Sequence, residues 1–480
     1  MYPDIKSNTF KSNSIPFYAL VIGLFLIITS PALFSDGMFM DGLIYSTVAH
    51  NLSNGLGSFW NLHFTYTCHS NFHEHPPLAF GIQGLFYTVL GDIRFVDKFY
   101  SLLTYFFVGW IITKIWSQLK YNHPWIPLLF WIITPLVSWA CSNNMLENTL
   151  SIFTCLAVLF YLLSQEQKKY LYIFLSGFVL SLGFLTKGFV VFYPLIFPCL
   201  LWLTSRNKSF REMTAESAFL LFFTVAPLVL LIILFPDARH SLKQYLEIQV
   251  INSIKNTSTV DSRFYIVYRM LLELLPSLGL AALLAFWGWC KKISLLTIKN
   301  NTKPALIFIL LALSGVLPIM ISMKQRGFYI LTTFPFFAIG IGILIHPIIE
   351  SLINQTYPKL KENLLFKCFS YGLLITGVSL SIYFSQGIGR DKNKIQDTDK
   401  ILTQLSQGSI VSIHSNLAED WSLHGYFARR KNVSLDANSE NKRDFLILGK
   451  SDYSETYNQE FELKDLQTVD LILLQRKKWN

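Results

Sequence analysis

A long stretch without lysine or arginine, residues 12–93, contains four acidic residues, and two of them have neighbours that suggest chemistry. Asp41 is followed four residues later by Tyr45, so in a helix the two side chains share one face. Glu74 is followed by His75 and by two consecutive prolines, which hold the backbone as it enters the next helix. Carboxylates held on a rigid frame are what general acid–base catalysis or metal binding requires.

Each acid also has a purely structural interpretation, which the sequence leaves open. Asp41 falls in the first turn of the predicted helix, where a carboxylate interacts favourably with the helix dipole, so it also suits an N-terminal cap. Glu74 stands at a junction between loop and helix, and it also suits a loop cap. A catalytic role and a capping role therefore both remain open for each of the two residues.

The same stretch holds five histidines, which suggest a divalent metal. His73 stands next to Glu74, and the two are the candidate ligands. The spacing of the histidines matches no standard ligand pattern, so solvated loop histidines are the alternative. The five are His50, His63, His69, His73 and His75.

Two further charged residues stand at the ends of apolar runs. Glu147 opens one run, and because an unpartnered carboxylate is costly at that position, it should face polar groups or a cavity. Lys187 lies between two apolar runs, where it either snorkels to the membrane interface or binds a phosphate as a point charge. Lys324 and Arg326 repeat this theme on the same predicted side, close to Tyr329.

The elements that position these residues follow from the composition. The chain has 480 residues, of which 52% are hydrophobic and 15% charged, and its mean hydropathy is +0.40. An ordinary soluble domain carries roughly 25% charged residues. The composition therefore excludes a disordered, collagen-like or disulfide-scaffold chain, and it indicates a membrane protein. The net charge of +10 then reflects loop lysines and arginines and does not indicate nucleic acid.

Eleven apolar runs are long enough to predict transmembrane helices. They cover residues 16–34, 94–113, 125–141, 147–164, 171–186, 188–204, 217–235, 270–289, 304–322, 328–346 and 366–385. Lysine and arginine concentrate in alternate loops, which places the N-terminus inside and residues 35–93, 236–269 and 386–480 outside. The unusual polar residues gather at the outer helix ends, so we expect a site at the outer membrane interface.

The outer segments differ in character. In the first loop Ile44, Val48 and Leu52 recur at a spacing of four, which predicts an amphipathic helix lying on the bilayer surface. Residues 391–480 are charged and mixed, and they predict a small soluble α/β domain after a membrane domain over 1–390. Its helices are expected at 395–405 and 417–429, and its strands at 409–414, 445–448 and 469–474.

With these residues in place, the chain resembles the membrane glycosyltransferases of the GT-C fold. It looks most like the bacterial branch that includes aminoarabinose transferases and relatives of the dolichyl-phosphate-mannose-protein mannosyltransferases. The resemblance covers roughly residues 15–345 and rests on motifs that share one order. The motifs are Asp41 with Tyr45, Glu74–His75–Pro76–Pro77, Met145–Leu146–Glu147, Leu185–Thr186–Lys187–Gly188 and, loosely, Lys324 to Leu331 with Tyr329.

The sequence departs from the family pattern at two places. His75 stands where the family usually has lysine, so one cationic contact becomes pH-dependent or is lost. Relatives of the aminoarabinose type carry a histidine in the second outer loop that helps to hold a metal. The corresponding stretch here, residues 245–253, has none.

The resemblance implies an inverting transferase that takes a sugar from a polyprenyl phosphate at the outer face of a bacterial inner membrane. Asp41 would act on the acceptor hydroxyl, and Glu74 and Glu147 would hold the cavity, the sugar or a divalent metal. The acceptor would be a lipid, a glycan or a protein, and the enzyme would work as a monomer among membrane lipids. The candidate substrate-binding residues are Tyr45, His75, Arg94, Glu147, Lys187, Lys324, Arg326 and Tyr329.

Two other functions compete with the transferase. A flippase or transporter for lipid-linked sugars would share the apolar body and the basic outer cavity. It would also place charged groups deep in the spans, and this sequence offers few. A membrane scaffold would depend on the C-terminal domain and would not require Asp41.

Overall fold

The computed structural model describes residues 14–251, 258–293, 296–362 and 364–477. Within these ranges nine helices are long and apolar enough to cross a membrane, so the chain is a multi-pass membrane protein. They are Ile15–Leu33, Val96–Gln118, Leu146–Leu163, Lys169–Val191, Phe210–Leu234, Tyr265–Cys290, Ile298–Ile321, Gly327–Gln355 and Leu364–Phe384.

The α-helices run the length of the chain and are numbered in chain order. They are α1 (Ile15–Leu33), α2 (Met40–Ser53), α3 (Leu78–Leu90), α4 (Val96–Gln118), α5 (Trp125–Ile132), α6 (Pro135–Cys141), α7 (Leu146–Leu163), α8 (Lys169–Lys187), α9 (Phe197–Ser205), α10 (Phe210–Leu234), α11 (Pro236–Gln244), α12 (Tyr265–Cys290), α13 (Leu296–Val316), α14 (Phe334–Glu362), α15 (Leu364–Phe384), α16 (Lys392–Leu402) and α17 (Trp421–Lys431). A π-helical turn covers Tyr245–Ile251, and a 3-10 segment covers Gly327–Thr333.

Two of the eleven predicted spans are not continuous helices. The run 125–141 is split into α5 and α6, because Pro135 forces Thr134 into an extended conformation. The run 188–204 begins with short 3-10 turns and becomes α-helical only at Phe197. The apolar composition of both runs was predicted correctly, but helical continuity was not.

The first and last spans pack tightly against each other at two glycines. A Cβ atom on Gly23 would lie 2.7 Å from the backbone of Leu373, and one on Gly377 would lie 2.7 Å from Leu26 Cβ. Such small residues allow membrane helices to approach closely. The hydroxyls of Ser30 and Ser381 also share a hydrogen bond of 2.8 Å across this pair. The contact brings the chain after α15 back beside the first loop.

The first loop, residues 35–93, forms a compact layer at one end of the spans. Its core contains the buried rings of Phe64, Phe72 and Phe80. The predicted apolar stripe of α2 packs into this core, with Val48 fully buried. The expectation that the stripe lies on the bilayer was therefore wrong. An exposed apolar surface occurs on α3 instead, where Val89 is 80% exposed.

The C-terminal unit is a mixed five-stranded sheet with two helices, which confirms the predicted α/β fold. Strand order is β2-β1-β3-β5-β4, with β1 parallel to β2 and β3, and β5 antiparallel to β3 and β4. The strands are β1 (Ile410–Ile413), β2 (Ser434–Asp436), β3 (Phe445–Gly449), β4 (Phe461–Lys464) and β5 (Leu471–Arg476). The short strands β2 and β4 were missed, because three or four residues carry too little alternation to detect. This unit docks on the first loop, where α17 lies against α2.

Candidate active site

Asp41 lies in the first turn of α2, and it does not act there as a cap. Within the described residues its carboxylate makes no hydrogen bond and no ion pair. Burial raises its pKa from the ordinary 3.8 to about 6. The nearby acids Glu147 and Glu74 raise this pKa further, while Lys187 and Arg326 lower it. Asp41 therefore combines an unpaired carboxylate with a pKa close to that of a general base.

The start of α2 is fixed by the turn that precedes α7. The backbone N–H of Phe39 donates to Asn143 Oδ1 at 2.7 Å. A Cβ atom on Gly42 would lie 2.1 Å from the carbonyl oxygen of Asn143, so only glycine allows this approach. Asn144 donates to the Gly42 carbonyl from the same turn at 3.4 Å. Because that turn leads directly into α7, Asp41 and Glu147 are held close together.

Lys187 and Glu147 form a buried ion pair in the centre of the site. Lys187 Nζ lies 2.6 Å from Glu147 Oε1, and the side chains are only 7% and 1% exposed. The second oxygen, Glu147 Oε2, is buried without a hydrogen-bond partner in the described structure. Lys187 therefore does not snorkel. Instead it stabilises Glu147, whose free oxygen is available to a ligand hydroxyl.

The position of Lys187 depends on how α8 ends. Gly188 follows it with a φ of 77°, a backbone conformation that favours glycine. A Cβ atom there would also overlap the Tyr245 hydroxyl, which donates to the Lys187 carbonyl at 3.4 Å. The rings of Tyr45, Phe328 and Tyr329 lie 6.0, 5.5 and 5.7 Å from Lys187 Nζ. Tyr245 was not selected from the sequence, since a single tyrosine in a loop carries no signal there.

His75 enters the site as a neutral group. Burial, together with the nearby Lys187 and Lys324, holds its pKa well below the usual value. Its Nε2 shares a hydrogen bond of 3.1 Å with the Tyr45 hydroxyl. The lysine that the resemblance leads one to expect at this position is therefore replaced by an uncharged side chain at neutral pH. Glu74 is more open, and its Oε1 lies 3.9 Å from His69 Nε2.

We expect His75→Gln and Tyr45→Phe to have similar and moderate effects, because each removes the same hydrogen bond. The loss in kcat/KM should be roughly tenfold or less, as for a neutral hydrogen bond. The pH–rate profiles of both variants should keep the wild-type acid midpoint, since His75 carries no charge to lose. An acid midpoint that disappears in His75→Gln would show that His75 titrates during turnover.

Lys324 and Arg326 reach the same site from the segment before the 3-10 turn. Lys324 Nζ donates to Gln249 Oε1 at 3.3 Å, and burial lowers its pKa although Glu74 opposes this effect. Arg326 is exposed and acts on Asp41 electrostatically. Both are positioned by Gln325, a residue that sequence reasoning missed.

Gln325 is almost fully buried and fastens this segment to the start of α12. Its Oε1 accepts from the backbone N–H of Ile266 at 2.9 Å. Its Nε2 donates to the carbonyls of Arg263 and Ser322 at 3.0 and 2.9 Å. A buried amide with three such bonds holds the cations on either side of it in place.

Arg94 is not brought into this group. Its guanidinium pairs with Asp36 at 2.5 Å and lines a cavity of about 460 Å³ between the first loop and the C-terminal unit. The cavity also holds Arg429 and Arg430, so Arg94 belongs to the docking region of the C-terminal unit.

The predicted metal ligands Glu74 and His73 are not joined by a third donor among the described residues. His73 Nδ1 shares a hydrogen bond of 3.3 Å with Ser241, and its ring lies 6.1 Å from that of His240. Among the described residues no group of three or more histidines, cysteines or acids could hold an ion. His240 was missed because only residues 245–253 were considered in that loop, and 252–253 lie outside the described residues. The described side chains of this site are therefore considered below for the chemistry that they provide themselves.

Comparisons with known proteins agree with this architecture. Residues 74–232 match the sequence profile of the family described as dolichyl-phosphate-mannose-protein mannosyltransferase. No curated protein matches the chain by sequence.

Solved structures resemble the whole chain. A crystal structure of ArnT from Cupriavidus metallidurans in the apo state is 13% identical, with a TM-score of 0.65, and the match covers 96% of this chain and 97% of that one. The same protein bound to undecaprenyl phosphate gives 12% identity, a TM-score of 0.65 and coverage of 97% and 98%. A third structure is AglB, an archaeal oligosaccharyltransferase from Archaeoglobus fulgidus, in complex with an inhibitory peptide and a dolichol-phosphate. It is 11% identical with a TM-score of 0.55, and the match covers 92% of this chain and 70% of that one. These matches confirm the predicted fold.

Proposed function

We propose that this chain, which has the GT-C fold, is an inverting glycosyltransferase that uses a sugar carried on a polyprenyl phosphate. The observation that carries the proposal is the unpaired, largely buried carboxylate of Asp41 beside the cations Lys187 and Arg326. The profile match over residues 74–232 and the likeness to ArnT bound to undecaprenyl phosphate support this substrate class. The acceptor is a lipid, glycan or protein.

The site lies on the outer face of a bacterial inner membrane in this proposal. The distribution of loop lysines and arginines supports that orientation. A membrane domain over residues 1–390 then carries the catalytic groups, and residues 391–480 form a domain on the same outer side. The enzyme acts as a monomer within the bilayer.

Transfer begins when the acceptor hydroxyl gives its proton to Asp41. The hydroxyl oxygen then attacks the anomeric carbon from the side opposite the phosphate, and the bond from that carbon to the phosphate oxygen breaks with inversion. The phosphate leaves with the electron pair. Because Lys187 is paired with Glu147, the net positive charge that stabilises this leaving group comes from Lys324 and Arg326.

Glu147 has a separate role in this mechanism. Its Oε2 is buried without a partner, so a sugar hydroxyl of the donor would satisfy it and fix the ring. If the acceptor is itself a phosphate, no proton has to be removed and Asp41 orients the acceptor instead.

The decisive experiment combines genetics with mass spectrometry. Deleting the gene in its native organism should remove one glycan mass from an envelope glycolipid or glycoprotein, and that mass names the sugar and the acceptor together. A transporter would instead move the lipid-linked sugar without consuming it, so unchanged amounts of donor in a reconstituted assay would count against a transferase.

Glu74→Gln should lower transfer and also move its pH dependence. The carboxylate raises the pKa of Asp41, so its removal should shift the acid midpoint of the rate below about 6. The rate itself should fall about tenfold or more, as when a charged hydrogen-bonding group is lost. The exposed Glu455→Gln serves as the control, and EDTA should leave both proteins unaffected. Loss of activity in EDTA that is restored by Zn²⁺ would contradict the absence of a metal step.

A further inference from the structure

The helix that carries Asp41 contacts the C-terminal unit near its start and is linked to it again near its end. Close to the first turn, α2 meets α17 where Leu43 faces Gly425. A Cβ atom on Gly425 would lie 2.8 Å from Leu43 Cβ, so the two helices are as close as a glycine permits. On its other side α2 presses Gly42 against the turn before α7. The helix is therefore held between two contacts that leave no free space.

The start of α2 is tied to α17 by polar contacts. The Tyr426 hydroxyl accepts from the backbone N–H of Met38 at 3.4 Å and donates to Asp391 Oδ2 at 3.0 Å. Arg430 pairs with Asp36 at 2.6 Å. These contacts hold the residues that lead directly into the turn containing Asp41.

The end of α2 is tied to the same helix through a shared carboxylate. His50 Nε2 lies 3.3 Å from Asp92 Oδ2, and Arg429 Nη1 lies 2.6 Å from Asp92 Oδ1. The buried guanidinium of Arg429 also bonds to Asp97 at 3.3 Å and lies over the ring of Tyr87 at 4.9 Å. The hydrogen bond from His50, aided by Arg429, lowers the pKa of Asp92 to about 2, so the Asp92 carboxylate stays ionised across the physiological range.

We propose, on the basis of the function proposed above, that α17 is a positioning element for catalysis, and that Gly425 sets the distance between α17 and α2 and thereby the place of Asp41. Within the described residues, the contacts between α17 and α2 involve neither Glu147 nor Lys187, while the ring of Trp421 lies 5.8 Å from that of His69, the partner of Glu74. The C-terminal unit therefore acts on Asp41 through α2. A displacement of about 1 Å at a catalytic group is enough to cost a factor of about 100 in rate.

The test combines Gly425→Ala on α17 with Leu43→Gly on α2, so that the glycine of this contact lies on α2 in the double variant. Gly425→Ala should lower kcat about 100-fold with little change in KM, because α2 has to shift while the ligand contacts remain. Leu43→Gly opens the same space on α2, so the double variant should recover at least tenfold over Gly425→Ala. Gly372→Ala is the matched control, since a Cβ atom at that helical glycine meets nothing within 4 Å. A folded Gly425→Ala protein with kcat within threefold of wild type would overturn the proposal.

A second readout needs no substrate and so separates this proposal from the proposed function. The difference in Tm between a protein and its Asp41→Asn derivative, followed against pH, reports the titration of Asp41 among Lys187, Glu147, Glu74 and Arg326. The midpoint for Asp41 in the folded state, which is the pH at which the Tm difference stops changing, should be about 6 in the wild type and displaced in Gly425→Ala. An unmoved midpoint would refute the positioning role, even if the chain transferred no sugar.

A milder variant covers the case in which Gly425→Ala does not fold. Tyr426→Phe removes only the hydroxyl that holds Met38, and it should lower kcat about threefold to tenfold while Tm changes little. Wild-type kcat together with an unchanged Asp41 midpoint in this variant would also refute the proposal.

Discussion

Asp41→Asn will abolish sugar transfer, and it will also make the protein more stable at neutral pH. Removing the group that accepts the proton costs general base catalysis, typically a factor of about 100 to 10,000. The gain in stability has a different origin. Burial raises the pKa of Asp41 from 3.8 to about 6, so at pH 7 the folded protein holds an ionised carboxylate that it disfavours.

The sign of the stability effect follows from proton linkage. The folded state binds the Asp41 proton more tightly than the unfolded state, so the contribution of Asp41 to stability is most favourable below pH 3.8 and falls as pH rises towards about 6. The cost at pH 7 is about 3 kcal/mol at most. Asparagine is neutral throughout and avoids this cost.

Two measurements check this expectation. Donor consumption should disappear in Asp41→Asn, and its Tm should exceed that of the wild type at pH 7 but approach it at pH 4. Asp237→Asn is the matched control, because Asp237 also lies in the first turn of a helix but is exposed. Near-full activity in Asp41→Asn would contradict the proposed mechanism.

Lys187→Met will remove both activity and much of the stability. It leaves Glu147 buried without its partner, and breaking a buried pair in this way typically costs about 3–5 kcal/mol. A second substitution, Glu147→Gln, removes the stranded charge, so the double variant should regain most of the stability. It should regain no transfer, because the sugar-binding carboxylate and the lysine that holds it in place are then both absent.

The comparison between these variants distinguishes a structural role from a catalytic one. Thermal unfolding in detergent and donor consumption are measured on the two single variants and the double variant. Lys243→Met is the control, because Lys243 and Glu247 form an exposed pair 3.8 Å apart whose loss should be nearly neutral. A double variant that transfers sugar would show that neither residue contributes to catalysis.

The sequence predicted the fold and the candidate catalytic residues to different depths. Hydropathy located the apolar segments because spanning a bilayer imposes length and composition. The sequence also showed that Glu147 needs a polar partner, since a lone buried carboxylate is too costly. It did not show that the partner is Lys187, forty positions further on. That pairing depends on how α7 packs against α8, which no local pattern encodes.

The break before Pro135 could have been predicted from the residue type, because a proline disfavours a helical conformation of the residue before it. Other features could not be predicted from the sequence, because they also depend on contacts between distant parts of the chain. The approach of Gly425 to Leu43 joins the two ends of the chain, and a lone glycine in a polar helix carries no sign of it. The neutral state of His75 likewise depends on lysines that are distant in sequence.

The contact between the first and last spans, α1 and α15, forms only after most of the chain has been synthesised. The ribosome makes α1 and α2 first, and at about 5–20 residues per second α15 and α17 follow tens of seconds later. During that interval Gly23 lacks its partner at Leu373, and α2 lacks the helix that holds it in place. An incomplete chain therefore carries Asp41 without the contacts that hold α2. Under the positioning role proposed for α17, a truncated product would transfer no sugar.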